Sequence, residues 1–414
     1  MSKVGITKVL ALARDDWQVK RYMNFICRDN WEVLFDDKWE KEVVDEVEPD
    51  IILTLADSYF SIYHLCNRAR ERKIPVLLVL DGLLEWRHTW ENPRFAYGGN
   101  VPLYQPVECD KIACYGWQNA RTLESWGNIG KCELVGDPRF DQYLNLKRIT
   151  HDGKKRLMIM SANTPGYTNE QKSNVVRAFK DLKTYLDKRD DIEIIWRLRK
   201  TMDKELAVED NNGSVYGRTL TEILPHMDAV ISQPSTVVLE PMLLNIPTAL
   251  LDYQNAPRYI HAVWHINSGA VIEKTIEKML NPEPYALLYQ DELLHNQLEC
   301  GSPAKPRLIK LIQSMADIAK DARSKGSVAN FPYRIIPRNE NGKSFNPSPY
   351  DYENLFPSHP VFSQSDTNKL KIELAYTKQE LEKAKKELSA RGISYWITLG
   401  FRKIRLYLKK RFSK

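Results

Sequence analysis

Ala229-Val230-Ile231-Ser232-Gln233-Pro234-Ser235-Thr236-Val237-Val238-Leu239-Glu240 reads as a short apolar strand, a small hydroxyl-bearing turn and the start of a helix. A strand that is apolar at every position, rather than at every second one, is expected to be covered on both faces, as in a parallel sheet. Ligands of such sheets collect beyond the carboxyl ends of the strands, so the turn at 232–236 is the first place to look for chemistry.

The same grammar extends outward in both directions. Strands are expected at 8–13, 31–35, 51–55, 75–80, 111–115 and 133–135, with helices at 18–27, 59–72 and 117–126 between them. The pattern restarts after a polar seam at 147–155, with strands at 156–160, 192–196, 214–216, 229–231 and 248–251 and helices at 170–186, 219–224 and 237–244. The reading is therefore α/β, with two Rossmann-like domains at 1–148 and 149–325, the second closing on an amphipathic helix at 305–323. Six prolines between 326 and 366 suggest an extended connector or a strap over the surface. Leu370, Leu374, Thr377, Leu381, Ala384 and Leu388 then follow a 4-3 spacing within 367–390, which suits a coiled coil and an oligomer, or a helix packed on its own protein.

Composition confines the function. The 414 residues are 43% hydrophobic, too apolar for a disordered polymer, and carry a formal charge of +6. Residues 391–414 alone hold eight basic and no acidic side chains, so the rest of the chain is at −2 and a nucleic-acid footprint across the fold is not expected. In that segment Ile393, Trp396, Ile397, Phe401, Ile404, Leu408 and Phe412 recur at helical spacing among the cations. That pattern suits the surface of an anionic membrane, or else a helix docked on the protein or an unstructured basic tail. The six cysteines show neither C-x-x-C nor zinc spacing, and the apolar run at 9–13 is too short for a signal sequence. The protein is expected in the cytoplasm, peripheral on the inner membrane. There is no P-loop, no G-x-G-x-x-G after a strand and no D-x-D, so neither a cofactor nor a metal is expected.

Free amides and hydroxyls at a helix start bind anions, which makes Ser235 and Thr236, with Ser232 at the strand end, candidates for holding phosphate; one hydroxyl could equally cap the helix. Glu240 is at the wrong spacing for a capping box with either residue, and its carboxylate suits the hydroxyls of a nucleotide sugar ring. Pro241 should kink the expected helix. Arg197, Arg199 and Lys200 close the strand at 192–196, where charges are normally solvated. Asp81 ends the strand at 75–80 beside Gly82 and is the first candidate for a base, ahead of Glu85 and His88; an Asp there could also cap a turn.

The segment from Ala229 through Leu244-Asn245-Ile246-Pro247-Thr248 resembles the donor-binding segment of GT-B glycosyltransferases. The resemblance implies that Ser235 and Thr236 hold the donor phosphates and Glu240 the ribose, with Pro241 a departure. Asp110-Lys111-Ile112-Ala113-Cys114-Tyr115-Gly116, Gly127 and Leu134-Val135-Gly136-Asp137-Pro138-Arg139-Phe140-Asp141 resemble the end of the N-terminal domain in bacterial surface-polysaccharide transferases, the CDP-glycerol type included. Related transferases often carry an Arg/Lys and His-Pro turn near the diphosphate after this strand; the His-Pro is missing here, and the resemblance implies that Arg197, Arg199 and Lys200 neutralise the leaving phosphate without a metal. The implied function is metal-independent transfer of a sugar from a nucleotide-activated donor to a lipid-linked surface glycan at the inner membrane. A sugar-nucleotide 2-epimerase of the same fold, or a non-catalytic membrane scaffold of an assembly complex, are the alternatives.

Overall fold

The computed structural model describes residues 6–26, 28–57, 59–92, 104–162, 164, 166–208, 218–254 and 258–336, with six isolated helical positions between 374 and 385. The chain forms two units, Met1–Pro349 and Tyr350–Lys414. The expected strand at 214–216, the connector beyond 336, the basic segment 391–414 and most of the helix at 367–390 lie outside the described residues.

The first unit holds two parallel sheets. Strands β1 (Thr7–Leu12), β2 (Trp31–Asp36), β3 (Ile51–Thr54), β4 (Val76–Val79), β5 (Lys111–Cys114) and β6 (Cys132–Leu134) form one, in the order β2-β1-β3-β4-β5-β6. Strands β7 (Lys155–Met160), β8 (Ile192–Arg197), β9 (Ala229–Ser232), β10 (Thr248–Leu251) and β11 (Trp264–Ile266) form the other, in the order β11-β10-β9-β7-β8. Every residue of β3, β4, β5, β9 and β10 is buried, which is why their sequences are largely apolar without alternation, with Thr54, Lys111, Ser232 and Thr248 as buried polar or charged residues at strand ends.

In each sheet the chain reverses its direction of travel once, between β1 and β3 in the first and between β7 and β9 in the second. These are the switch points at which the loops diverge and leave a crevice. One apolar cluster runs from Leu10, Leu78 and Ile112 of the first sheet to Met158, Val230 and Leu250 of the second, so both halves share a core beneath the crevice.

The last long helix, Ala304–Ser324, packs on the first sheet, not the second. Leu308, Leu311, Ile312 and Met315 join Val9, Ala11 and Ile51 in one core. The stretch 149–325 therefore contributes to both halves. Residues 326–336 continue over the same sheet without helix or strand, with Phe331, Ile335 and Ile336 against that core. The elements without an expectation are short or late in the chain: β11, and helices Val43–Val47, Trp86–Trp90, Lys200–Leu206, Ile272–Leu280 and Pro284–Gln297.

The expected single helix at 237–244 is divided. A 3-10 turn, Thr236–Val238, precedes a short α-helix, Leu239–Leu243. The division moves Pro241 into the first turn of the α-helix, where its missing N–H has no intrahelical partner to lose, so the proline ends a 3-10 turn instead of kinking a helix.

Candidate functional site

A cavity of about 450 Å³ opens at both switch points together. Arg14 and Gln18 follow β1, Leu55 and Ala56 follow β3, Ala162 and Thr164 follow β7, and Pro234, Ser235 and Thr236 follow β9; all line it. Asp81, Glu85 and His88, beyond β4, line it as well. Residues 153 positions apart thus face one space, and they touch. The Leu83 amide donates to the Thr236 hydroxyl oxygen at 3.0 Å. A Cβ at Gly82 would lie 2.9 Å from the same oxygen, so the close approach of the two loops requires glycine there.

The sequence candidates divide into those at the cavity and those away from it. The Asp81 carboxylate is exposed within it. The Glu85 carboxylate accepts from the Tyr167 phenol at 2.9 Å and lies 3.3 Å from Arg87, itself 3.8 Å from Asp252. Burial pushes the Glu85 pKa up, against Arg87 and Tyr167. The His88 ring packs against Tyr167 with centroids 5.3 Å apart, and the Asn92 amide nitrogen lies 3.0 Å from its Nδ1. The Ser235 oxygen accepts from the Val237 amide at 3.4 Å, as a capping residue does. Because Ser235 and Thr236 both accept from backbone amides, their own O–H groups remain as donors toward the cavity.

Ser232 is fully buried, and its hydroxyl donates to the Gln233 carbonyl at 2.8 Å, which makes it part of the sheet's core and not of the cavity wall. Arg197 leaves the end of β8 and donates to the Arg218 carbonyl at 3.1 Å. The Arg199 side chain is exposed, its amide donating to the Ser161 hydroxyl at 2.8 Å. Lys200 opens the helix Lys200–Leu206. Among the described side chains, Arg197, Arg199 and Glu240 do not line the cavity.

Glu240 belongs to a second polar cluster between the sheets. Its carboxylate accepts from the Tyr143 phenol. Burial pushes its pKa up, while Tyr143, Arg139 and Arg197 act the other way. Tyr143 ends a 3-10 helix, Pro138–Tyr143, whose start is capped by Asp137 accepting from the Arg139 amide at 3.0 Å. Asp137 in turn takes the Arg21 guanidinium at 2.8 Å and the Tyr115 phenol, and Arg21 also donates to the Leu80 carbonyl at 2.9 Å. Burial alone would raise the Asp137 pKa; Arg21 and Arg139 hold it below the usual carboxylate range. Gly136 permits this turn: its φ is +80°, and a Cβ there would lie 2.4 Å from the Glu299 carbonyl. Tyr143, Tyr167, Arg21 and Arg14 were not sequence candidates. Only the Gly136-Asp137-Pro138 turn carried a local signal for the cluster.

Among the described residues no group of three His, Cys, Asp or Glu side chains is placed to hold a metal ion, and no helix is long and apolar enough to cross a membrane.

No family model matches the sequence, and no curated protein is similar to it. Solved structures are. A Listeria monocytogenes protein assigned as a UDP-N-acetylglucosamine 2-epimerase superposes with a TM-score of 0.53 at 14% identity, over 75% of this chain and 96% of that one. MnaA of S. aureus, solved with UDP, gives 0.53 at 12% identity over 75% and 97%. The wall teichoic acid polymerase TagF overlaps more loosely, at 0.45 and 13% identity over 77% and 89%. The first two establish the fold: two Rossmann-like halves in the GT-B arrangement.

Proposed function

We propose that the protein is a glycosyltransferase acting on a nucleotide-activated sugar, with its donor held by the second sheet and its acceptor by the first. The observation that supports this reading is one cavity bounded by an exposed Asp81 on one sheet and the hydroxyl-bearing turn of Ser235 and Thr236 on the other. In this reading the hydroxyls of Ser235 and Thr236 donate to the donor diphosphate in the cavity, while the ribose extends beyond its wall to Glu240, displacing Tyr143, and the Arg197 charge offsets the leaving phosphate from outside the cavity. Asp81 removes the proton from the acceptor hydroxyl as its oxygen attacks the sugar's anomeric carbon, and the nucleotide departs with the bonding electrons. The acceptor is a lipid-linked surface glycan, and the basic segment 391–414 holds the enzyme on the anionic bilayer that carries it, with 367–390 as an oligomerisation helix.

A second reading, a sugar-nucleotide 2-epimerase, draws on Glu85 and His88 beside Asp81, since removing a proton from one face of a sugar and returning it to the other takes two groups. One assay separates them: nucleotide sugars are incubated with and without a membrane extract containing lipid-linked glycan. Transfer requires the extract and falls about 100-fold in Asp81→Asn with the fold intact, whereas isomerisation of the donor without any acceptor sinks the transferase in favour of the epimerase. Absence of any nucleotide binding removes both and leaves the scaffold.

A further inference from the structure

We propose that the end of the cavity nearest β1 is a subsite for an anionic group, phosphate or carboxylate, on the acceptor, and that Arg14 is its receptor. This rests on the transferase reading above.

Arg14 follows β1 at the switch point and lines the cavity. Its guanidinium carbon lies 4.3 Å from the Trp39 ring centroid and 5.6 Å from that of Tyr59. Those rings are 5.4 Å apart and tilted 57° to each other, so the cation lies over Trp39 with Tyr59 at its side. The platform is rigid. Trp39 is 2% exposed, its amide donates to Asp36 at 2.7 Å, and its backbone is held in the left-handed region at φ 59°. Its indole Nε1 is buried with no hydrogen-bond partner among the described residues.

The charge on this platform is unmatched. Arg87, the other arginine near the cavity, lies beside Glu85 and Asp252, and Arg21 beneath it is paired with Asp137. Arg14 is exposed and has no ion-pair partner among the described residues. Asp15, the acid next to it, accepts from the Gln18 amide at 3.0 Å and so caps the helix Asp16–Ile26. The Gln18 side-chain oxygen Oε1 accepts from the Arg14 backbone amide, which leaves the side-chain NH2 of Gln18 as a further donor at the same end. A guanidinium held over an aromatic ring satisfies none of its N–H groups there and keeps them for an anionic acceptor, which it can bind, as carboxylate or phosphate, through two parallel hydrogen bonds. Phosphates of the donor have their own place in this reading, at Ser235 and Thr236 on the opposite sheet. An anion at Arg14 is therefore one that the acceptor brings, and Asp81 meets that acceptor's hydroxyl in the same cavity.

The test uses the full chain with glucose, glucose 6-phosphate and glucuronate as probes, followed by ligand-observed NMR in the presence and absence of UDP and CDP. At least one charged probe is expected to bind tenfold or more tightly than glucose, and Arg14→Gln is expected to abolish the difference while Arg14→Lys retains part of it. Preference for the phosphate or for the carboxylate names the source of the charge. Equal binding of all three probes overturns the proposal. So does an Arg14→Gln variant whose nucleotide affinity falls as far as its affinity for the charged probe, since Arg14 would then serve the donor. An Arg14-dependent anion site in a protein that binds no nucleotide leaves the subsite standing and removes the transferase reading instead.

Discussion

Two of the places where charge lies between elements in the first half of the molecule are handled in opposite ways. Under the strap, Lys111 and Glu133 are each 1% exposed and 2.8 Å apart. The Lys111 ammonium also reaches the carbonyls of Gly130 at 2.8 Å, Pro332 at 2.7 Å and Tyr333 at 3.1 Å. Glu133 takes the amides of Ile335 at 2.8 Å and Ile336 at 3.1 Å. Every donor and acceptor is used within the chain, and the pair fastens residues 326–336 over the edge strand β6. In the cavity, Arg14 and Asp81 are exposed and neither has an ion-pair partner among the described residues. A buried pair with all its bonds made holds structure, whereas a charge placed rigidly and left unmatched is available to a ligand.

The largest expected effect attacks the first side of this contrast. Lys111→Met leaves Glu133 buried without its cation, and unfolding in urea is expected to show a loss of about 3–5 kcal/mol. Replacing both, with Lys111→Met and Glu133→Leu, is expected to recover much of it, because no charge then remains buried. A single variant as stable as the parent would show the pair to be incidental to the strap.

Asp57 is an intermediate case and the next largest effect. It is 6% exposed; one oxygen accepts from the Tyr104 amide at 2.9 Å and the other has no partner among the described residues. Burial, opposed by that amide, pushes its pKa up to about 7. The sign follows from proton binding. Between about pH 4 and pH 7 the folded chain keeps a proton that the unfolded chain has released, so this group's stabilisation is complete below pH 4 and lost as pH rises through 7. Asp57→Asn is expected to remove a pH dependence of roughly 4 kcal/mol across that window, read as the difference between the two chemical denaturation profiles. Parallel profiles would place the Asp57 carboxyl in water.

Much of the fold is legible in the sequence because burial on both faces leaves the same mark: β3, β4, β5, β9 and β10 are apolar except at a strand end, where Thr54, Lys111, Ser232 and Thr248 stand, and are expected within a residue or two of their bounds. β11 escaped because it has three residues with His265 in the middle, too short for a period to register. The site divides by a different rule. Asp81, Ser235 and Thr236 follow from the strand-end argument, which needs only local sequence. Arg14 meets Trp39 and Tyr59, and Tyr143 meets Glu240, only after the chain has folded, across as many as 97 positions. Nothing local marks such pairs. Ser232 shows the converse: it is the last residue of a strand buried at every position, and its hydroxyl is spent on the Gln233 carbonyl.

The smallest effect sharpens the contrast at Glu240, where a ligand-facing role and an internal bond compete. If Glu240 takes ribose hydroxyls, the Tyr143 phenol already occupies the carboxylate in the way that a sugar hydroxyl would. Binding must then exchange one hydroxyl donor for another, and the free protein is stabilised by the bond that is given up. Tyr143→Phe removes the competitor and leaves a buried carboxylate short of a donor, so the nucleotide complex gains relative to the free protein. A net hydrogen bond of about 1 kcal/mol translates into roughly fivefold tighter nucleotide binding by calorimetry, with Glu240→Gln moving the affinity the other way. Weaker binding in Tyr143→Phe would mean that the phenol itself holds the nucleotide or shapes its pocket, and Glu240 would join Lys111 and Glu133 among the charges that serve the fold.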